Sequence, residues 1–204
     1  MKKTLTVLVF ILLAFCGRAA EAVKIETAGL PNFYKVSGNF YRGAQPDAEG
    51  FAKLPSYGIK TVINLRADHS DKKYLKNLPL NYKEIPTRAW NLKEKQIEEF
   101  LTVIADPANM PVFVHCQHGA DRTGAMTAVY RIVAQGRSKE DALKEMTEGP
   151  YGFHKIWANL PETINALDVE KLKNFYMAAR TTATQKEKAA QPQPQAGGQA
   201  PVLQ

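Results

Sequence analysis

The chain has 204 residues with 27 basic and 20 acidic side chains, a formal charge of +7. That balance suits an anionic substrate, but no basic stripe interleaved with aromatic residues runs through it, so nucleic acid is not the expected partner. The two cysteines, Cys16 and Cys116, exclude a disulfide scaffold, and the histidines His69, His115, His118 and His154 show no ligand spacing, so no metal and no cofactor are expected.

In chain order, Lys2 and Lys3 lead into an apolar run over residues 5–15, broken only by Thr6, and then into Ala20-Glu21-Ala22. This is the charged, apolar, small-residue order of a secretory leader over residues 1–22, removed after Ala22. The run is shorter than the about 20 apolar residues that span a bilayer, so a retained anchor is the weaker reading. Phe15 before Cys16 argues against lipid attachment, where a small residue normally stands. The chain is therefore expected to be exported, periplasmic or secreted, with no membrane span in its mature form. Without residues 1–22 it keeps 24 basic and 19 acidic side chains and a single thiol, Cys116. A lone thiol in an oxidising compartment is a liability unless its chemistry is used.

Residues 25–180 are expected to form one domain. Residues 33–41 alternate weakly and predict short strands around Ser37-Gly38-Asn39. Asp47 opens a helix that Gly58 closes. Residues 60–65 are apolar and β-branched, a buried-strand pattern. A short helix is expected near 70–77 and a strand over 81–85. Residues 92–105 have helical spacing, residues 111–115 (Pro-Val-Phe-Val-His) form the strongest strand, and 122–134 read as a helix. Two further helices are predicted, 138–147 and 161–179. Residues 181–204 are rich in Gln, Ala and Pro without apolar periodicity and are expected to be disordered. Strands alternating with helices predict an α/β fold with a central, largely parallel sheet flanked by helices on both faces.

The segment Val114-His115-Cys116-Gln117-His118-Gly119-Ala120-Asp121-Arg122-Thr123-Gly124 lies between the strongest strand and a helix. Ligands of such sheets bind beyond the carboxyl ends of strands, where the next helix presents unpaired N–H groups to an anion. Five residues between Cys116 and Arg122 suffice to curl Gln117, His118, Gly119 and Ala120 into an anion nest, and Gly119 permits the tight curl. Cys116, beside a helix N-terminus and Arg122, is expected to ionise well below about 8.5 and to attack phosphorus, giving a phosphocysteine intermediate. Arg122 offers a planar fork to two phosphate oxygens. The Thr123 hydroxyl is placed to donate to the Cys116 sulfur. His115 fits a supporting role behind the loop better than proton transfer.

His-Cys-x5-Arg-Thr-Gly is the signature of the protein tyrosine and dual-specificity phosphatase superfamily, and residues 115–124 match it, including Gly124. Phe40-Tyr41-Arg42-Gly43-Ala44-Gln45-Pro46 and Gly58-Ile59-Lys60-Thr61-Val62-Ile63-Asn64-Leu65-Arg66 resemble the opening of the atypical bacterial, plant and fungal dual-specificity phosphatases, so the resemblance covers about 33–160. It implies the cysteine-phosphatase fold, a phosphorylated protein or small phosphate ester as substrate, and an aspartate acid on a separate loop after Ile85-Pro86. That loop reads Thr87-Arg88-Ala89-Trp90-Asn91, with no carboxylate. Asp121, which resembles the loop aspartate of myotubularin-type lipid phosphatases, and Asp68 are the two replacements. The bland alternatives are that Asp121 only orders the loop or pairs with Arg88, and that Asp68 is a solvated turn residue.

Arg88 and His118, with Arg66, His69, Lys72 and Lys73 if the preceding loop folds over the site, add positive charge near the mouth. This leaves inositol phosphates and phosphoinositides open beside phosphotyrosine. Trp90 is either an aromatic wall for substrate or a core aromatic, and the aromatic cluster at 151–157 reads as packing. A rhodanese-type sulfur transferase also holds a thiolate in an anion loop, but the Arg122-Thr123-Gly124 entry into a helix favours phosphatase chemistry. Arsenate reduction needs more than one mature thiol. A non-catalytic phosphate-binding module would typically have lost its nucleophile or arginine, and both are present.

Overall fold

The computed structural model describes residues 21–190. All of the expected leader except Glu21 and Ala22 lies outside them, as do residues 191–204 of the expected tail. Six strands, β1 (Val23–Lys24), β2 (Tyr34–Lys35), β3 (Phe40–Gly43), β4 (Thr61–Arg66), β5 (Asn81–Thr87) and β6 (Val112–His115), form one sheet in the order β1-β2-β3-β6-β4-β5. Pairing is antiparallel from β1 to β3 and parallel across β3–β6, β6–β4 and β4–β5. The sheet is thus mixed and mostly parallel at its centre, with β6, the strand that precedes Cys116, between two parallel neighbours.

Among the described residues seven α-helices complete the fold: α1 (Ala48–Lys53), α2 (Lys72–Leu75), α3 (Glu94–Ala105), α4 (Asp121–Val133), α5 (Lys139–Glu148), α6 (Asn159–Ala166) and α7 (Val169–Ala190). Successive strand side chains point to opposite faces, and β6 shows the division. Val112 and Val114 join the core under α3 to α7, while Phe113 joins a second core with Tyr41, Val62, Phe51, Leu54 and Leu75 beneath α1 and α2. Every residue of α4 except Arg122 is buried, as a helix packed on all sides requires.

Local signals explain several boundaries. Asp47 caps α1 by accepting from the Gly50 N–H at 2.8 Å, and Gly58, at φ +75°, ends the 3₁₀ turn that continues it. The helix expected over 161–179 is two helices, because Asp168 starts α7 with its side chain accepting from the Lys171 N–H at 3.0 Å. The last helix, α7, runs to Ala190, past the expected domain end at 180. Leu172 and Tyr176 dock the first turns in the core, and no Gly or Pro interrupts the chain before Pro192, so the helix propagates once nucleated.

Candidate active site

Between β6 and α4, the phosphate loop turns its carbonyls away from its centre. The Cys116 carbonyl lies 3.3 Å from His115 Nδ1. The Gln117 carbonyl accepts from the Gln45 N–H at 3.2 Å, that of His118 from Asn32 Nδ2 at 2.9 Å, and that of Gly119 from Arg42 Nη2 at 2.8 Å. In a trans peptide the N–H opposes the preceding carbonyl. Four carbonyls held outward therefore aim the N–H groups of Gln117, His118, Gly119 and Ala120 inward, which is the anion nest expected from the sequence. Gly119 has φ +70°, and a Cβ there would meet the Gly43 carbonyl carbon at 2.4 Å. Only glycine meets both demands.

Arg42 braces this arrangement from behind. Its side chain is fully buried, donates to the loop and stacks on the Tyr151 ring, 3.7 Å from guanidinium carbon to centroid. Burial pushes its guanidinium down to about 10, against the opposing pull of Tyr151 and Glu145. Its Nε and Nη1 have no hydrogen-bond partner among the described residues.

His115 faces Asp71, not the reaction centre. Its Nε2 lies 3.0 Å from Asp71 Oδ2, and both side chains are closed to solvent. Asp71 also accepts from Gln45 Nε2 at 2.7 Å and from the Tyr82 hydroxyl at 3.3 Å. Burial works to raise the Asp71 carboxyl, but the hydrogen bond and charge of His115, with the hydrogen bond from Gln45, hold it below its ordinary value. Burial pushes the Tyr82 phenol up to about 12, so it serves as a neutral bridge between Asn64 and Asp71. Gln45 closes the circuit, since its Oε1 accepts from Arg66 at 2.9 Å.

The loop opens on a cavity of about 370 Å³ lined on one side by Gln117, His118, Asp121 and Arg122 and on the other by Arg66, Asp68, Arg88 and Trp90. Cys116 is 1% exposed at the loop's start. Arg122, half-buried, donates to the Thr87 carbonyl at 3.3 Å, so its guanidinium reaches across to the end of β5. Arg88 pairs with Asp68 at 3.1 Å and lies over the Trp90 ring at 5.3 Å. Such an exposed pair is worth little and exchanges readily for a phosphate. Trp90 is 61% exposed, which places it at the rim and not in the core. His69, Lys72 and Lys73 do not line the cavity: His69 turns to Asp71, Lys72 to Glu84 and Lys73 to the Tyr74 ring.

Two expectations change. The Thr123 hydroxyl is buried with no hydrogen-bond partner among the described residues, so the expected donation to the Cys116 sulfur is not made. Asp121 does not pair with Arg88, whose partner is Asp68. Its carboxylate accepts from the His154 N–H at 2.8 Å and lies 2.9 Å from His154 Nδ1. His154, Asp71 and Asn32 carried no local sequence signal, whereas Arg42 and Gln45 stood within a segment that carried the family resemblance.

A strand-loop-helix anion nest with a cysteine at its start and an arginine at its end defines a cysteine-phosphatase site. The chain belongs to the DSP-PTPase phosphatase family: residues 30–158 match the family described as DSP-PTPase phosphatase fused to NAD+ kinase. Among individual proteins, it is 34% identical over 143 residues to the dual specificity protein phosphatase TpbA of Pseudomonas aeruginosa, a match spanning 70% of this chain and 65% of that protein. The crystal structure of P. aeruginosa TpbA superimposes with a TM-score of 0.68 at 30% identity, covering 76% of this chain and 96% of that one, and one such structure is a complex with pTyr. An inositol diphosphatase of Oryza sativa subsp. japonica is 30% identical over 111 residues, 49% of this chain and 53% of that protein.

Proposed function

We propose that this chain hydrolyses phosphate monoesters of phosphorylated proteins or small molecules through a phosphocysteine intermediate. The observation that carries the proposal is the outward anchoring of four successive loop carbonyls, which preforms a cradle for a phosphate dianion beside Cys116 and Arg122. The Cys116 thiolate attacks phosphorus, and the P–O bond to the leaving group breaks. The nest and Arg122 hold the equatorial oxygens as charge spreads over them. The proton shared by Asp121 and His154 protonates the leaving oxygen, and the same pair then takes a proton from the water that cleaves the phosphocysteine. This assigns the acid to Asp121, supported by its place on the cavity wall and by a bonded imidazole that can replenish the proton.

Two features of the rim bear on substrate. The exposed Trp90 ring offers a stacking face to an aryl group, which favours phosphotyrosine, and agrees with a relative seen in complex with pTyr. Arg66 and Arg88 on the same wall favour a second phosphate, which supports an inositol-phosphate reading and agrees with the rice relative.

Hydrolysis of a small aryl phosphate, without added metal, tests the proposal against a phosphate-binding module. In Cys116→Ser, turnover is expected to fall to background while phosphate binding persists. Turnover surviving the substitution would rule out the phosphocysteine.

A further inference from the structure

At the mouth of the phosphate loop three side chains from separate segments converge: His118 in the loop, Asp121 at the start of α4, and His154, thirty-odd residues on, ahead of α6. One potential ligand atom from each lies within 4.8 Å of the others. His154 Nδ1 stands 2.9 Å from Asp121 Oδ2, and the His118 and His154 rings are 5.2 Å apart between centroids. We propose that His118, Asp121 and His154 form a binding site for a divalent transition metal ion of the Zn²⁺ type.

The geometry carries this in three ways. Nitrogen and oxygen ligands sit about 2.0–2.2 Å from Zn²⁺, so two of them on one ion stand roughly 3 Å apart. The Nδ1–Oδ2 pair already has that bite, with only a shared proton where the ion would be. The carboxylate is also oriented by a main-chain group, because the His154 backbone N–H donates to Oδ1 at 2.8 Å, the kind of supporting contact that fixes metal ligands. Finally, His118 is exposed at the surface while its own carbonyl is held by Asn32. Its ring is free to rotate in by the ångström or so that the set requires, without disturbing the nest.

The donor types select the ion. Two imidazoles and one carboxylate suit Zn²⁺, Co²⁺, Ni²⁺ or Cu²⁺, and not Mg²⁺ or Ca²⁺, which prefer all-oxygen sets. Three protein ligands leave a further position open, and His118 and Asp121 both line the cavity, so that position faces the bound phosphate. Arg122 and Arg88 on the same cavity oppose a cation, which sets the affinity nearer the micromolar range than that of a closed structural site. An ion held here displaces the proton of the Asp121–His154 pair. Metal is thereby an inhibitor of the turnover proposed above, a consequence that rests on that reading, whereas the site itself does not.

The test is calorimetric titration of Zn²⁺ into the tag-free chain carrying Cys16→Ser and Cys116→Ser, so that no thiol competes. One equivalent is expected to bind with a Kd on the order of micromolar, with no saturable heat from Mg²⁺. His118→Gln and His154→Gln, at solvent-exposed positions, should each weaken Zn²⁺ by about tenfold or more while leaving the thermal melt in place. A second measurement needs no histidine variant: Zn²⁺ should protect His118 and His154 from acylation by diethylpyrocarbonate, read by peptide mass. Absence of saturable Zn²⁺ binding, histidine variants that bind Zn²⁺ as tightly as their parent, or no protection of the two rings would overturn the site. Because the protein tested cannot turn over, failure here is separate from failure of the phosphatase reading.

Discussion

The back of the phosphate loop and its mouth are built in opposite ways. Behind the loop, Arg42, Asp71 and His115 are closed to solvent and joined to it, directly or through Gln45, by hydrogen bonds. At the mouth, the Arg88 and Asp68 side chains are 48% and 74% exposed, and that of His154 is 47% exposed. Orphaning a buried polar group costs about 1–3 kcal/mol and more for a charge, whereas an exposed ion pair contributes about 0–1 kcal/mol. The contrast teaches that loop shape is locked by the fold, while the rim rearranges at little cost to meet a substrate. Variants at the mouth should alter kinetics with the melt unchanged; variants at the back should alter the loop or the stability of the whole domain.

The largest effect is expected at the mouth. Asp121→Asn keeps the acceptor for the His154 N–H but cannot pass a proton, so hydrolysis of alkyl phosphates with poor leaving groups should slow by about 10²–10⁴-fold. Activated aryl phosphates should be nearly spared. Equal slowing of both substrate types would take the acid role from Asp121 and return Asp68 to consideration.

Next comes Arg42→Met at the back. Methionine retains packing against Tyr151 and removes a buried charge that is only partly hydrogen-bonded, so stability should shift by less than about 2 kcal/mol. The Gly119 carbonyl loses its donor, however, and displacement of the loop by about an ångström is worth roughly 10²-fold in kcat. Denaturant unfolding beside steady-state kinetics separates the two, and unchanged kcat would show that Arg42 does not position the loop.

The smallest effect is thermodynamic. The folded state holds the Asp71 carboxyl below its ordinary value, so its contribution is present above the unfolded value of about 3.9 and lost as pH falls through the folded one. Asp71→Asn should therefore cost about 1–3 kcal/mol at neutral pH, and the gap from the parent should close below about pH 4. A gap that stays constant down to pH 3 would contradict a charged Asp71 in the network.

Much of this protein was determined locally and could be read from the chain. The apolar, β-branched runs at 61–66 and 112–115 dictate buried parallel strands, Asp47 and Gly58 punctuate α1, and Cys116 through Gly124 carry the nest because nucleophile, glycine, arginine and helix start lie within one short span. Composition alone undervalued the helix beyond residue 180, which is nucleated where Leu172 and Tyr176 dock in the core. The partners of the loop came only with the tertiary structure. Asn32, Arg42, Asp71 and His154 lie between 33 and 86 residues from the groups they hold in sequence, and only chain packing brings such residues within hydrogen-bond reach. The pairing of Asp121 with His154, and of both with His118, followed for the same reason: a set of side chains with no common spacing acquires joint chemistry only when the sheet and its helices fold three segments onto one rim.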